Sequence, residues 1–421
     1  MKNSKTSNGQ QAAVLISHPT GNQNVRNAVR SLAEHEMLAE FWTTIVWDKE
    51  SALSWIVPER IVAQLARRSF EGIAPERIHA HPWRESVRLA LRSTRLNKLL
   101  ASRERPFSVI GVYREFDKAV ARRLRHVRPD AVYAYEGGAL QTFREAKRLG
   151  IKTIYEQPSS YWYWNQRLVI EEAERSPEFA NQLTVFIDPE KHLKWKDEEI
   201  ALADEVIVPS EHVKKTLKGV VPDSRITVIS YGAPKVRELK ADFSSRENPL
   251  RAIYVGALHQ RKGIGYFLKA LDLVDFPIDV TFVGRRVAEN PSVDAACRRF
   301  RWFESLPHEE VLKLMANADV LVHPSPSEGC ALVVLEALSA GLPVIVTPNS
   351  GTLEFVQDGK QGFVVPVCNA DAIAGKLRLL NADRTLLAKM SAQAQVTARE
   401  RSWAYYRSQW ANAVRDIVCQ S

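Results

Sequence analysis

The chain has 421 residues, 45% of them apolar and 25% charged, and a formal net charge of +9. That length exceeds one ordinary core and suits two domains of roughly 200 residues each. No run of about 18 apolar residues occurs, so no membrane-spanning helix is predicted.

Residues 1–11 are polar, which predicts a disordered tail and no signal peptide. The first domain is expected over 12–232. AAVLIS (12–17) reads as a strand before the loop HPTGN, and Val25, Val29 and Leu32 then fall at helical spacing. FWTTIVW (41–47) reads as a second strand, and 50–128 as mostly helical. Residues 1–150 carry an excess charge of about +10, densest between Arg84 and Arg128. This basic stretch suits an anionic membrane or a phosphate-bearing acceptor, or equally a set of solvated helix faces. Helical spacing among Leu, Val and Ala argues against nucleic acid. From Asp130 strands and helices alternate: DAVYAYEGG, then ALQTFREAKRLG ending in a C-terminal glycine, then IKTIYEQP. Helices follow at 161–176 and 191–203, then the strand DEVIVPS, a helix capped by Ser210, and RITVISYG.

APKVRELKADFSSRENP (233–249) is polar and bounded by prolines, as a linker would be. A second alternation fills 250–402, and an aromatic-rich helix at 403–421 is expected to pack back on the first domain. Cys297, Cys330, Cys368 and Cys419 are scattered without ligand spacing, which suggests reduced thiols in a cytoplasmic protein. The fold class predicted is α/β, with two Rossmann-like, doubly wound parallel sheets facing a cleft. Ligands in such sheets bind at the carboxyl ends of the strands.

The loops at those ends carry the candidate chemistry. GALHQRKG (256–263) follows the first strand of the second domain and sets Arg261 and Lys262 beside a helix start. Two cations there suit a diphosphate, and a charged turn is the plain alternative. SPSEGCAL (325–332) is a small-residue loop in which Gly329 lets backbone N–H groups approach a ligand; Glu328 lies in the loop and Glu336 on the helix after it. A carboxylate at a strand's carboxyl end can accept hydrogen bonds from vicinal hydroxyls, or simply pair with a basic neighbour. TPNSGTLEFV (347–356) reads as another such loop at a helix start, with Glu354 on the first helical turn. In the first domain, SHPTGNQNVR brings His18, Gly21 and Asn22 to a strand end, with Thr20 or Asn24 as helix cap in the plain reading. Glu136 and the run Tyr161, Trp162, Tyr163 and Trp164 also follow strands; the aromatics suit a stacking platform or core packing.

The order KG…SEGxxLVxLEAxxxGxPVI…GTxEFVxDGxxGFVV resembles the retaining glycosyltransferases of family 4, which have the GT-B architecture. SEGCALVVLEALSAGLPVI is similar to their E-x7-E signature, with Glu328 and Glu336 as the two acids. The resemblance is dense over 250–375. It implies a nucleoside diphosphate sugar held by the second domain. Lys262 and Arg261 would meet the diphosphate, Glu328 the sugar and Glu336 the ribose. The backbone from Gly329 through Cys330 and Ala331 to Leu332 would reach sugar hydroxyls and phosphate. Ser350, Gly351 and Thr352 would shape the diphosphate pocket, and Gly256 is a further donor-binding candidate. Two departures stand out: Gly256 precedes Ala257 where the family usually has Arg or Ser, and Cys330–Ala331 replaces a common Phe–Gly. His18, Gly21, Asn22 and Glu136 would form the acceptor or phosphate side. The resemblance implies no cofactor and no metal, and the chain contains no Asp-x-Asp. The acceptor would be a glycan, a lipid-linked glycan or a small molecule, reached in the cytoplasm or at the inner membrane face. A sugar-nucleotide epimerase or phosphorylase, and a non-catalytic assembly protein, are the alternatives.

Overall fold

The computed structural model describes residues 12–47, 68–92, 105–183, 188–236 and 249–419. The expected tail (1–11), most of the expected linker (233–249) and parts of 50–128 lie outside those residues.

Short runs rich in Val, Ile and Ala build strands that are buried on both faces, as parallel sheets require. β1 (Val14–Ser17), β2 (Leu38–Thr43), β3 (Ile78–Ala80), β4 (Ala131–Tyr135), β5 (Lys152–Glu156), β6 (Glu205–Val208) and β7 (Ile226–Val228) form one sheet. All its pairings are parallel, in the order β3-β2-β1-β4-β5-β6-β7. β8 (Leu250–Val255), β9 (Ile278–Val283), β10 (Arg301–Phe303), β11 (Val320–His323), β12 (Val344–Val346) and β13 (Gly362–Val364) form the other. That sheet too is parallel throughout, in the order β10-β9-β8-β11-β12-β13. Strand order reverses between β1 and β4 and between β8 and β11, and the crevice at such a switch point is where doubly wound sheets take ligands.

β3 departs from the helical reading of 50–128. It is a three-residue edge strand with half-exposed side chains, too short and too polar to declare itself by alternation. The helix expected after Thr352 is also absent: Val356 N–H bonds Thr352 O at 2.8 Å, and the chain passes directly into the Gly359 and Gly362 turn. Glu354 therefore sits on a turn.

Each domain carries a segment of the other. The helix Trp403–Cys419 lies on the first sheet, where Trp410 is fully buried with its ring 5.1 Å from Tyr133. In the opposite direction, the helix Trp162–Arg175, the 3-10 turn Pro177–Phe179 and the helix Ala180–Leu183 run from the first domain onto the second. Phe179, 2% exposed, joins the core of β8, β9 and β11. A Cβ on Gly265 would lie 2.6 Å from the Phe179 ring, so that approach needs glycine. The two connecting strands run side by side: Ala233 N–H bonds Arg401 O at 2.7 Å and Trp403 N–H bonds Ala233 O at 3.2 Å.

Candidate active site

β8 delivers Gly256, whose φ of 145° suits glycine, and then a 3-10 turn, Gln260–Lys262. Gly263 ends the turn at φ 74°, and a Cβ there would sit 2.1 Å from Pro324 O. Glycine thus lets the Arg261–Lys262 turn lie directly against the loop that follows β11. Lys262 Nζ contacts Glu328 Oε1, and Ser325 Oγ donates to Arg261 O at 2.9 Å. Burial would raise the Glu328 carboxyl, but Lys262, His323 and Arg261 hold it below its ordinary value. His323 Nε2 stands 3.8 Å from Glu328 Oε1.

The small-residue loops are mutually keyed. Gly351 adopts φ 65°, and a Cβ on it would lie 2.1 Å from Gly329 O. Ala331 N–H bonds Ser350 O at 3.2 Å, and Ser350 and Thr352 share a 2.7 Å hydroxyl hydrogen bond. Leu332 begins the helix Leu332–Ser339. The Cys330 and Ala331 side chains point into the core beneath the loop, and burial pushes the Cys330 thiol well up. Glu336 lies on the second turn of that helix, with His308 Nε2 at 3.9 Å as its ion-pair neighbour. Burial pushes its carboxyl up to about 7. Glu328 and Glu336 thus have different partners and opposite shifts. An open depression lined by Arg285, Trp302, Phe303, Glu304 and Ser305 lies at the carboxyl ends of β9 and β10. Ser305 is three residues before His308.

Two groups of first-domain residues reach this site, and the sequence reading anticipated neither. Ser160 Oγ lies 2.7 Å from Ser327 Oγ, and His212 Nε2 is 3.0 Å from the first and 3.1 Å from the second. Ser210 Oγ donates to Gly329 O at 2.5 Å, and Glu211 N–H bonds Glu354 Oε1 at 2.6 Å. A Cβ on Gly329 would fall 1.8 Å from Pro158 O, so glycine here is required by the opposing domain as well. The second group centres on Glu172, whose side chain is 1% exposed. It accepts from Gln260 Nε2 at 3.0 Å, Tyr266 OH at 2.7 Å and Cys368 Sγ at 3.2 Å, and it contacts Arg175. Gln260 N–H also bonds Gln182 Oε1 at 3.2 Å, and Gln260 Oε1 accepts from Gly265 N–H at 3.1 Å. The turn bearing Arg261 and Lys262 is therefore anchored by first-domain side chains.

The first-domain candidates differ in exposure: His18 and Gly21 are buried, Glu136 is half-buried and Asn22 is exposed. His18 is buried with its ring 4.3 Å from Tyr135; Nδ1 bonds Thr20, and burial pushes its pKa down to about 3. Gly21 is buried. Asn22, rather than Thr20 or Asn24, caps the first helix by accepting from Val25 N–H at 3.0 Å. Asn24 instead donates to Glu156 at 2.8 Å. Glu136 pairs with Lys196 at 3.1 Å, and Lys196 also pairs with Asp188 at 3.0 Å. The aromatic run is not one platform. Tyr161 is buried, Tyr161 OH and Trp162 Nε1 both donate to Asp197, Trp164 packs on His212, and Tyr163 is exposed.

Residues 235–397 match the family model "Glycosyl transferases group 1". The D-inositol 3-phosphate glycosyltransferase of Corynebacterium urealyticum is 28% identical over 222 residues, 46% of this chain and 52% of that protein. The glycogen synthase of Mycobacterium tuberculosis is 31% identical over 163 residues, 37% of this chain and 39% of that protein. The chain thus spans about half or less of these curated relatives. The sucrose-phosphate synthase of Thermosynechococcus elongatus superposes with a TM-score of 0.68 at 17% identity, covering 98% of this chain and 100% of that one. Anabaena HepE, solved in complex with UDP-glucose, superposes with a TM-score of 0.61 at 15% identity, covering 96% and 99%. Residues 235–397 are thus similar to group 1 glycosyltransferases, in a chain that has the GT-B fold over nearly all its length.

Proposed function

We propose that the protein is a retaining, metal-independent glycosyltransferase. It moves a sugar from a nucleoside diphosphate sugar to a glycan, a lipid-linked glycan or a small-molecule acceptor. The observation that carries this reading is the Lys262–Glu328 pair at the β8/β11 switch point, facing first-domain loops across the cleft. The UDP-glucose complex of HepE, on the same fold, supports the donor class.

In this reading Lys262 and Arg261 hold the diphosphate and stabilise the charge that develops on it as the glycosidic bond breaks. Preorganised cations and backbone donors serve that purpose without a metal. Glu328 faces the sugar. Glu336 accepts the ribose hydroxyls, and Gly256 with Gly329–Leu332 and Ser350–Thr352 supply close backbone. The depression at Arg285 and Trp302–Ser305 takes the base. His18, Gly21, Asn22 and Glu136 border the acceptor. Arg84 lies over the half-exposed Trp83 ring at 5.1 Å, a basic-aromatic pairing that supports peripheral contact with an anionic membrane from the cytoplasmic side.

A thermal-shift panel of UDP-, GDP- and ADP-sugars tests the donor class, because a ligand that binds only the folded state raises the melting temperature. Nucleoside diphosphate release is then followed with acceptors present, with and without EDTA, and the anomeric configuration of the product is read by NMR. Transfer with retention that survives EDTA is expected. An inverted product or EDTA-sensitive turnover overturns the corresponding part. Donor isomerisation without acceptor would indicate an epimerase, and binding without transfer an assembly role. Flotation with anionic against neutral liposomes tests the membrane contact.

A further inference from the structure

We infer that His323 is a positioning residue that takes over the Glu328 carboxylate when Lys262 turns to the donor diphosphate. The inference rests on the donor-site reading above.

His323 ends β11, and its side chain is 2% exposed. Neither ring nitrogen has a hydrogen-bond partner among the described residues. Two unmet polar atoms buried at that depth are costly unless another state of the site uses them. The group nearest in charge is Glu328, 3.8 Å from Nε2, and a shift of about 1 Å makes that a hydrogen bond.

The other partners of Glu328 do not survive donor binding equally. Lys262 is 30% exposed on a flexible stem, and a diphosphate competes for its ammonium directly. Ser325 Oγ is 3.4 Å from Glu328, but it has one proton and lies closer to Arg261 O, at 2.9 Å. Arg261 acts on Glu328 through charge. Once Lys262 turns away, a carboxylate that is 17% exposed needs a donor, and His323 Nε2, 3.8 Å from it and with no hydrogen-bond partner of its own among the described residues, is placed to be one in its Nε2–H tautomer. Burial pushes the ring's pKa down to about 4, so it serves as a neutral donor and adds no charge next to the diphosphate.

The test uses the full chain with UDP-glucose, GDP-mannose and ADP-glucose as donors. His323→Phe should lower kcat roughly 10- to 100-fold, the range of a lost hydrogen bond to a charged group. Affinity for the matching nucleoside diphosphate, by calorimetry, should stay unchanged. His323→Gln places an amide N–H near Nε2 and should restore most of the turnover; His323→Asn places it near Nδ1 and should not. Equal turnover for wild type and His323→Phe, or equal rescue by Gln and Asn, overturns the inference. A second measurement needs no turnover. Lys262→Ala leaves Glu328 to its other neighbours, so His323→Phe should lower the melting temperature more in that background than in wild type. Additive shifts overturn the inference. If wild type consumes none of the three donors, the donor-site reading fails, and the melting-temperature cycle still decides the histidine's role.

Discussion

The two sheets share one frame and differ at their carboxyl edges. In the first domain the buried carboxylates are tied down by internal partners. Glu199 accepts Gly137, Ala139 and Leu140 N–H and Tyr155 OH, and Glu156 accepts from Asn24 and Tyr133. They fix the loops beneath the cleft. In the second domain Glu328 and Glu336 remain partly exposed, with one ion-pair partner that can leave and one that is distant. A similar residue type is thus held by several fixed donors on one side and left with few on the other, where the proposed function places the ligand.

The largest effect should come from removing the acid that the proposed function sets against the sugar. Glu328→Ala should cut turnover about 10²- to 10³-fold, the scale of a lost electrostatic contact in an enclosed site. Nucleotide affinity by calorimetry should stay near wild type; loss of affinity with normal turnover would exchange the roles assigned to Glu328 and Glu336. Glu199→Ala should behave oppositely. It strands three backbone N–H groups and should cost about 3 kcal/mol of stability, with little change in nucleotide affinity per folded molecule; denaturant melts and calorimetry separate the two. Glu172→Gln crosses the comparison, because a first-domain residue holds the second domain's turn. A donor KM raised about tenfold, near the value of one charged hydrogen bond, with kcat and acceptor KM unchanged is expected. Equal losses in all three would make it a folding residue only.

The smallest effect is in pH. The Glu336 carboxyl sits at about 7 in the free site, above its ordinary value. In the proposed function ribose hydroxyls donate to its ionised form, so donor affinity should fall as pH drops below about 7. Glu336→Gln should flatten that profile, and an unchanged slope would assign the titration elsewhere. The same raised carboxyl binds its proton more tightly in the folded state, so without donor its contribution to stability falls as pH rises from its ordinary value to about 7.

Much of this was legible in the sequence. The strand–helix alternation marked both sheets, and the glycines in the loops after β8, β11 and β12 marked where those loops pack closely against one another. Where the helix Trp162–Arg175 docks was not legible, because helical spacing defines an apolar face without naming what covers it. Glu172 sits in the run EEAER, which reads as solvated, yet it is among the most buried carboxylates. The links among Ser160, His212 and Ser327 join loops far apart in sequence, with no local signal for their meeting. Asn22 was singled out for a ligand, and its position one residue before the helix already suited the cap it makes. His323 looked like an ordinary strand end, and only its depth and its unmet nitrogens single it out.

The mutual crossing of the domains bears on how such a protein can be recombined. Splicing a new first domain on between Val236 and Pro249 would part Glu172 from Gln260 and Trp410 from Tyr133, unseating the Arg261–Lys262 turn and opening a core in one cut. A graft that respects the interior would need four junctions. The span Trp162–Leu183 would travel with the second domain, and Trp403–Cys419 with the first. Exchange of specificity by simple two-piece shuffling is therefore closed to this chain. Substitutions around the Glu136–Lys196 pair leave both crossings intact.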